Sequence, residues 1–268
     1  MSELACLDGH VAPAADTFIP ATDEGLLRGD GVFEVIRVDG GAPFALDAHL
    51  ARIENSAANL RLELPATEMI RDEALALLAE RGGSFDGCLR ILVTRGGRRL
   101  LLTEPLPASS LAATIRLGVV TYSPTRVLDG IKSLSYAGNM LAGRLARERG
   151  FDEALLVTPH GRVLEAPTSS IFWVDPAGTL CTPPLDEHIL ASITRDRVMR
   201  LCDVEERPAT LDDLAQAAEA FLASTTREVQ AIAAIEDAKL PAAPGERTKA
   251  AAEALRSHVE EELRAVRA

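Results

Sequence analysis

Hydrophobic and polar residues follow two different periods in the first part of the chain. In GVFEVIRVDGGAPFAL, residues 31–46, β-branched and aromatic residues flank a turn at Asp39–Gly41, which predicts a β-hairpin. The next stretch, residues 47–62, has apolar residues at the spacing of one helix face, with Asp47 near its start. The apolar positions of this predicted helix are Leu50, Ile53, Ala57 and Leu60.

The same reading continues to the C-terminus and predicts an α+β chain in two parts. Helices are predicted at residues 67–82, 134–150, near 192–202, 210–219 and after about 246. Strands are predicted at residues 88–97, 114–122, 152–158, 162–166, 170–174, 179–184 and 219–225. Residues 121–130, TYSPTRVLDG, have turn chemistry and are interpreted as a link. We therefore expect a small N-terminal α/β domain at 1–120 and a larger C-terminal domain at 121–268.

Composition and charge exclude several classes of function. Hydrophobic residues make up 47% and charged residues 25%, as in an ordinary globular protein. The net charge of −12 argues against nucleic acid or an anionic membrane as partner. The first residues, MSELACLDGHV, lack the apolar core of a secretory signal, so a cytoplasmic protein is predicted. The cysteines and histidines are scattered without metal-ligand spacing, so no metal is expected.

Lys132 stands out because the chain has very few lysines. Of 28 Lys and Arg residues, only Lys132, Lys239 and Lys249 are lysines. An amine becomes nucleophilic when burial favours its neutral form, whereas a guanidinium stays protonated. Lys132 lies where a strand-like run meets a predicted helix. Its position alone leaves a salt-bridged or snorkelling lysine open as the simpler interpretation.

Motifs around Lys132 resemble a known enzyme family. In chain order they are RGDGVFEVIRV, HLARIENSAANLRL, KSLSYAGNMLA, GFDEALLVTPHGRVLEAPTSSIFWV and ASITRDRV. Together they resemble the class IV aminotransferases, which are pyridoxal-phosphate enzymes of fold type IV, from about residue 20 to residue 235. The family includes D-amino-acid and branched-chain aminotransferases and aminodeoxychorismate lyase. The resemblance implies a two-domain fold with a C-terminal pseudo-barrel, and a homodimer whose active sites use both chains.

The resemblance also implies roles for particular residues. Lys132 matches the lysine that holds the cofactor aldehyde as a Schiff base and later moves the substrate Cα proton. Tyr136 matches the contact to the ring oxygen, and Glu165 matches the carboxylate beside the pyridine nitrogen, which makes the ring an electron sink. The matches for the phosphate site, with Ser169 the weaker one, are Arg52, Ser169, Ile193, Thr194 and Thr225. Simpler alternatives are a core aromatic for Tyr136, an exposed residue for Glu165, a surface ion pair for Arg52 and an N-cap for Thr194.

Substrate preference is expected to depend on arginines, because a guanidinium binds a carboxylate as a fork. The candidate substrate ligands are Arg28, Arg90, Arg98 and Thr226. Arg28 is expected to act either in its own active site or in that of a second subunit, and structural ion pairs are the alternative. STTREV and KSLSYAGNMLA look closest to D-amino-acid aminotransferases. However, the Arg-x-His carboxylate trap of that branch is absent, since Leu100–Leu102 follow the arginines, and Tyr136 is more typical of the other branches.

The predicted function is transfer of an amino group between a small amino acid, with D-amino acids favoured, and a 2-oxo acid such as 2-oxoglutarate. Aminodeoxychorismate lyase activity, which releases pyruvate and leaves 4-aminobenzoate, is the first alternative. A branched-chain L-amino-acid aminotransferase is the second. A non-catalytic carrier of the cofactor or of another anion, and a module without cofactor in which Lys132 and Glu165 merely pair, rank below these because neither explains the order of the motifs.

Overall fold

The computed structural model describes residues 3–267, except for the side chains of Ser110, Leu111 and Arg267. These residues form two compact units, each built around its own β-sheet. The first unit contains residues 3–106, 130–136 and 259–267, and the second contains residues 107–129 and 137–258. Both units combine separate stretches of chain. The predicted domains, 1–120 and 121–268, are continuous stretches, and that division stays a prediction.

The first unit has a six-stranded antiparallel sheet and three complete helices. Its strands are β1 (Leu4–Leu7), β2 (His10–Pro13), β3 (Gly31–Asp39), β4 (Ala42–Pro43), β5 (Gly87–Thr94) and β6 (Arg99–Glu104). They lie in the order β2-β1-β6-β5-β3-β4. Its helices are α1 (Glu24–Arg28), α2 (Leu46–Leu60) and α3 (Thr67–Arg81). The predicted hairpin at residues 31–46 and the helices at 47–62 and 67–82 are thus confirmed.

The core of the first unit forms between β3, α2 and α3. On the predicted face of α2, Leu50, Ile53 and Ala57 are buried and Leu60 is half-buried. These residues pack in one cluster with apolar residues of the sheet and of α3. Burying one large apolar side chain contributes about 1.5–3 kcal/mol. This packing stabilises α2, because an isolated helix of this length is only marginally stable in water.

The second unit has an eight-stranded mixed sheet. Its strands are β7 (Thr114–Thr121), β8 (Glu153–Val157), β9 (Ser170–Val174), β10 (Leu180–Thr182), β11 (Val204–Glu206), β12 (Glu219–Ser224), β13 (Glu228–Ile235) and β14 (Ala238–Lys239). The order is β11-β10-β9-β12-β13-β7-β8, with β14 paired to β13. Its helices are α4 (Ala137–Glu148), α5 (Ile193–Leu201) and α6 (Leu211–Ala215), and α7 (Glu246–Arg267) contributes residues to both units.

Several predicted elements differ from the observed ones. The helix predicted from residue 134 begins at Ala137, because Leu134 bonds to Gly31 and Ser133 bridges Val32 in the first unit. The strand predicted at 162–166 is wrong, since these residues make only isolated bridges, such as Val157 with Val163. The helix predicted at 210–219 ends at Ala215, because Glu219 begins β12. The prediction also missed the β1–β2 hairpin and β13.

Candidate active site

The backbone of Lys132 is fastened to the first residues of β3. Its carbonyl accepts the N–H of Phe33 at 3.0 Å, and its own N–H donates to the Ser56 Oγ of α2 at 3.1 Å. The next residue, Ser133, forms an antiparallel bridge with Val32. Hydrogen bonds on both sides therefore fix where the lysine side chain leaves the main chain.

Glycines in the RGDG motif allow this close approach. A Cβ on Gly31 would lie 2.5 Å from the Val93 carbonyl oxygen and 2.6 Å from Leu134 Cδ1, and real side chains do not come that close. Leu134 donates its N–H to the Gly31 carbonyl at 2.9 Å. Gly29 ends α1 with a φ of 67°, a left-handed conformation that glycine adopts without steric penalty. The motif thus shapes the surface on which the Lys132 segment lies.

Aromatic rings surround the Lys132 amine. Nζ lies 4.5 Å from the ring centroid of Phe33 and 5.9 Å from that of Tyr136. The two rings meet edge to face, with centroids 5.2 Å apart and planes at 80°. The Arg90 guanidinium carbon also lies 5.9 Å from the Phe33 centroid. Ring faces attract a cation, so Phe33 and Tyr136 help to hold the Lys132 amine where the structure places it.

A buried carboxylate organises the residues next to the lysine segment. Glu34 is fully buried and binds Arg52 through two hydrogen bonds, Nε to Oε1 at 2.7 Å and Nη2 to Oε2 at 2.6 Å. His49 Nδ1 lies 2.7 Å from Glu34 Oε2. Burial acts to raise the pKa of Glu34, but the hydrogen bonds and charge of Arg52, helped by His49, outweigh it and lower the pKa to about 2. Glu34 is therefore ionised.

His49 is the neutral member of this cluster. Burial lowers its pKa, and the positive charges of Arg52 and Lys132 act in the same direction, against the opposing effect of Glu34. A neutral imidazole with its proton on Nδ1 can donate to Glu34, so the pair is a hydrogen bond between a neutral ring and a carboxylate. Glu34 binds Arg52 through two of the five guanidinium N–H donors, which fixes the plane of the guanidinium group.

Glu165 belongs to the second unit, in the segment between β8 and β9, and its side chain contacts the loop that precedes α5. Its Oε1 accepts the N–H of Leu190 at 3.3 Å. Burial raises the pKa of Tyr122, and the negative charge of Glu165 raises it further. Glu165 is half-buried. An ionised carboxylate held by a backbone donor can bind a protonated ring nitrogen, which is the role that the resemblance implies.

Ser169 carries an unsatisfied hydroxyl four residues after Glu165. It is buried, and its Oγ has no hydrogen-bond partner among the residues that the structure describes. The Ala166 and Ser169 backbones bond to each other, with the Ala166 N–H donating to the Ser169 carbonyl at 2.8 Å. A buried hydroxyl without a partner costs about 1–3 kcal/mol. A ligand oxygen at this point would remove that cost.

The start of α5 offers donors for an anion. Ser192 caps the helix, accepting the Arg195 N–H with its side chain at 3.2 Å. Ile193 and Thr194 follow as the first two helical residues, and both are buried. First-turn N–H groups have no partner within their own helix and lie at its positive end, which favours an anion. Thr194 thus belongs to a helix start with suitable chemistry and is not itself the N-cap.

Thr225 and Thr226 form the tip of the hairpin between β12 and β13. Ser224 and Glu228 pair across the base of this tip. Both threonines are half-buried. Helix α5 packs against β12 in the same unit. The structure therefore holds the phosphate candidates Ser169, Ile193, Thr194 and Thr225 on elements of one unit, while Arg52 belongs to the other.

The three candidate substrate arginines all have acidic partners. Arg28 pairs with Glu24 at 2.6 Å within α1, and its side chain is 73% exposed. Arg98 pairs with Asp8 at 2.8 Å. Arg90 pairs with Glu104 at 2.8 Å and is the one that also reaches the Phe33 ring. The ion pairs are the structural alternative that the sequence left open, and carboxylate binding stays a prediction for each.

Sequence reasoning missed three residues of the first unit, Phe33, Glu34 and His49. Glu34 interrupts an otherwise apolar strand in VFEVIRV, and a buried carboxylate requires a partner. His49 precedes Arg52 by three residues in HLAR, so the two share a helix face. These two signals were present in the sequence. Only the fold shows that both side chains meet Glu34.

The described residues fit pyridoxal phosphate. The first unit supplies an amine at Lys132 and a guanidinium at Arg52, and the second unit supplies a carboxylate at Glu165 and helix-start donors at α5, which are the group types that an aldehyde, a phosphate and a ring nitrogen require. The unpartnered Ser169 hydroxyl is an independent sign that a polar ligand belongs in the second unit. The fold and these residues define a pyridoxal-phosphate enzyme of fold type IV.

The family is established by comparison with known proteins. The model of amino-transferase class IV matches residues 31–235, so the chain belongs to the class IV aminotransferases, which depend on pyridoxal phosphate. It is 34% identical over 244 residues to a putative branched-chain-amino-acid aminotransferase of Methanocaldococcus jannaschii, covering 83% of this chain and 84% of that protein. It is 32% identical over 272 residues to D-alanine aminotransferase of Bacillus licheniformis, covering 94% and 95%.

A solved structure agrees with this assignment. The fold IV-transaminase CpuTA1 of Curtobacterium pusillum superposes with a TM-score of 0.84 at 30% sequence identity, over 94% of this chain and 99% of that one. Within residues 3–267, no helix is long and apolar enough to cross a membrane. Nor do the described side chains include a group of three or more His, Cys, Asp or Glu residues that could hold a metal ion.

Proposed function

We propose that this aminotransferase transfers the amino group of a small amino acid, with D-amino acids favoured, to a 2-oxo acid such as 2-oxoglutarate. The observation that carries the proposal is the placement of the Lys132 amine against Phe33 and Tyr136, on a backbone fastened to β3. When bound, pyridoxal phosphate supplies an aldehyde that reacts with amines and a ring that accepts electrons from the substrate Cα.

Lys132 is assigned two tasks in this proposal. Its amine would hold the cofactor at the aldehyde carbon. Once the substrate amine has displaced it, the free Lys132 amine would accept the proton from the substrate Cα and later give a proton back as the amino group is transferred. Phe33 and Tyr136 keep water from the amine and restrict its rotamers. Because the Lys132 backbone is fixed, the amine can move only by rotation about the bonds of its four-methylene side chain.

The other assignments concern binding and charge. Glu165 holds a proton on the ring nitrogen, and Tyr136 donates its hydroxyl to the ring oxygen. In the first unit, Arg52, set in place by Glu34, is assigned to the phosphate. In the second unit, the first-turn N–H groups at Ile193 and Thr194 are assigned to it as well. The hydroxyls of Thr225 and Ser169 complete the phosphate ligands.

Arg90 is the preferred ligand for a substrate carboxylate. It and Lys132 contact the same Phe33 ring, with the Arg90 guanidinium carbon 5.9 Å and the Lys132 amine 4.5 Å from the ring centroid. Arg28, Arg98 and Thr226 are assigned supporting contacts, with Arg28 reaching either its own site or that of a second subunit in a homodimer. Arg90→Met is expected to raise the KM for 2-oxoglutarate about tenfold or more, whereas Arg71→Met, which removes an exposed ion pair with Asp47, leaves it within about twofold.

The absorption spectrum between about 300 and 500 nm tests the proposal. The wild-type protein is expected to show a visible band that D-alanine or D-glutamate bleaches in the absence of any oxo acid, reporting the first half of the transfer. Lys132→Ala is expected to lack the band, whereas Lys249→Ala, which changes an exposed lysine of α7, keeps it. A Lys132→Ala variant that binds cofactor as tightly as wild type would indicate a carrier instead of an enzyme.

Two other outcomes point to different branches of the family. Bleaching by L-leucine and not by D-alanine would assign a branched-chain preference, in keeping with the name of the Methanocaldococcus jannaschii relative. A visible band that no amino acid bleaches, with release of pyruvate and 4-aminobenzoate from aminodeoxychorismate, would assign the lyase. The wider coverage of the D-alanine aminotransferase relative is what supports the D-amino-acid preference.

A further inference from the structure

A buried arginine lies directly behind the threonines of the β12–β13 hairpin tip. Arg227 follows Thr225 and Thr226, and its side chain is only 4% exposed. Its guanidinium turns into the second unit, where Nη2 donates to Glu153 Oε2 at 2.6 Å and Nη1 donates to Gln230 Oε1 at 2.5 Å. The Arg227 N–H also bonds the Ser224 hydroxyl at 3.4 Å. The tip is thus bound from beneath by its own third residue.

The partners of Arg227 are themselves fixed. Glu153 begins β8 and is 7% exposed, and its other carboxylate oxygen accepts the Ala154 N–H at 3.1 Å. Gln230 lies on β13 and donates through Nε2 to the carbonyls of Ser109 and Ala112 at 2.9 and 2.7 Å. The network therefore connects the tip with two strands of the sheet and with the segment through which the chain enters the second unit.

Burying this ion-pair network costs desolvation free energy, so we expect the fixed geometry of the network to serve a role. Removing a charged pair from water costs several kcal/mol for each ion, and well-packed apolar residues often stabilise a fold equally well. Burial lowers the pKa of Arg227, and Glu153 opposes that shift. What an ion pair supplies that apolar packing lacks is a fixed direction for each bond. The rigid guanidinium fork can hold the tip at one height and one angle.

We propose that Arg227 is a positioning residue, with Glu153 as its counterion, that holds the Thr225 hydroxyl in the place where it binds the cofactor phosphate. The inference rests on the proposed function, because that function assigns the phosphate contact to Thr225. Arg227 itself faces Glu153 and Gln230, so its effect on the cofactor is transmitted through the tip.

The test compares binding of pyridoxal phosphate with binding of pyridoxal, which lacks the phosphate. Apoprotein of the full chain is titrated with each compound, following the visible band and the heat of binding. Arg227→Met is expected to weaken pyridoxal phosphate about tenfold, the loss of one hydrogen bond to a charged group, and to leave pyridoxal within about twofold. Thr225→Ala is expected to give the same pattern, and the double variant to lose no more than either single one.

Controls separate positioning from general damage. Glu228, at the base of the same hairpin, forms a more exposed ion pair with Arg256. Arg256→Met removes this pair and is expected to change the affinity for neither pyridoxal phosphate nor pyridoxal. Arg227→Lys keeps the charge but not the fork, so it is expected to weaken pyridoxal phosphate about threefold. This variant carries the test if Arg227→Met does not fold.

The outcomes are decisive in each direction. Equal weakening of both compounds, or of neither, would overturn the positioning role. A phosphate-selective loss in Arg227→Met without one in Thr225→Ala would also overturn it, because the effect would then not pass through Thr225. If Thr225→Ala alone shows the loss, the phosphate assignment stands and only the role of Arg227 falls. If no variant forms a visible band and wild type forms none either, the proposed function fails first.

Discussion

Glu34→Gln removes the charge that holds the Arg52 and His49 side chains together. The pKa of Glu34 falls from the ordinary 4.5 to about 2. At about 1.36 kcal/mol for each pKa unit, this difference corresponds to about 3 kcal/mol of stability. The value is similar to the 3–5 kcal/mol typical of breaking a buried pair. Because the folded-state pKa is depressed, the contribution is fully present above about pH 4.5 and is lost as the pH falls through about 2.

Hydrogen exchange at pH 7 measures the effect where it is complete. Amides of α2 and β3 report the opening free energy of the structure that contains Glu34. A loss of about 3 kcal/mol predicts exchange on the order of 100-fold faster in Glu34→Gln. Asp47→Asn provides the matched control, because Asp47 also lies on α2 and pairs with Arg71, but its side chain is 83% exposed. A surface pair of this kind contributes about 0–1 kcal/mol, so exchange changes about fivefold at most.

A Glu34→Gln variant whose amides exchange at the rate of Asp47→Asn would refute the stabilising role of the Glu34 charge. The burial of Glu34 would then contribute nothing, and His49 and Arg52 would have to be held by their packing alone. A second readout follows from the proposed phosphate role of Arg52. Glu34→Gln is expected to weaken pyridoxal phosphate more than pyridoxal, whereas Asp47→Asn changes neither.

Gly31→Ala places a methyl group 2.5 Å from the Val93 carbonyl oxygen. In urea unfolding, this variant is expected to lower the free energy of unfolding by about 1–3 kcal/mol. The control Gly83→Ala, which has open space around it, is expected to change that free energy by no more than about 0.5 kcal/mol. Of the four cysteines only Cys202 is not buried, so a thiol reagent is expected to label about one thiol in the native protein and four after unfolding. Glu165→Gln keeps an acceptor but removes the charge, so the transfer rate is expected to fall on the order of 100-fold in a coupled assay at unchanged melting temperature.

Local pattern was sufficient for α2 and for the hairpin of β3 and β4, whose buried faces lie within their own unit. The helix at residues 47–62 was predicted because its apolar face has the period of α2, and the hairpin of β3 and β4 because Asp39–Gly41 has turn chemistry. In both cases the local preference and the tertiary environment agree.

Long-range pairing decided the segments that were predicted wrongly. Residues 134–136 have helical spacing with the residues that follow, yet Leu134 bonds to Gly31, more than 100 positions earlier in the chain. The spacing could not reveal this partner. Residues 162–166 are β-rich, but Arg162, Val163 and Ala166 form isolated bridges to three different partners, so no ladder forms. Propensity is a weak prior when tertiary contacts supply the hydrogen bonds.

The site residues show the same division between what a motif indicates and what the fold adds. Lys132 was identified by its rarity and its motif, while the Phe33 ring against its amine is visible only in the structure. Glu34 lies in the motif too, but its meaning depends on two side chains from α2. A residue type can be read from the chain, whereas the partner that fixes its protonation state depends on packing.

Arginine and lysine occupy different environments in this chain, and this difference makes Lys132 conspicuous in the sequence. Cations that neutralise carboxylates are arginines, as with Arg52 against Glu34 and Arg227 against Glu153, because a fork that cannot lose its proton makes a permanent pair. Lys239 and Lys249 are exposed and need only stay hydrated. Lys132 is half-buried, and its amine lies 4.5 Å from the centroid of the Phe33 ring. The proposed role of Lys132 requires a proton to come and go, which a lysine allows and an arginine does not.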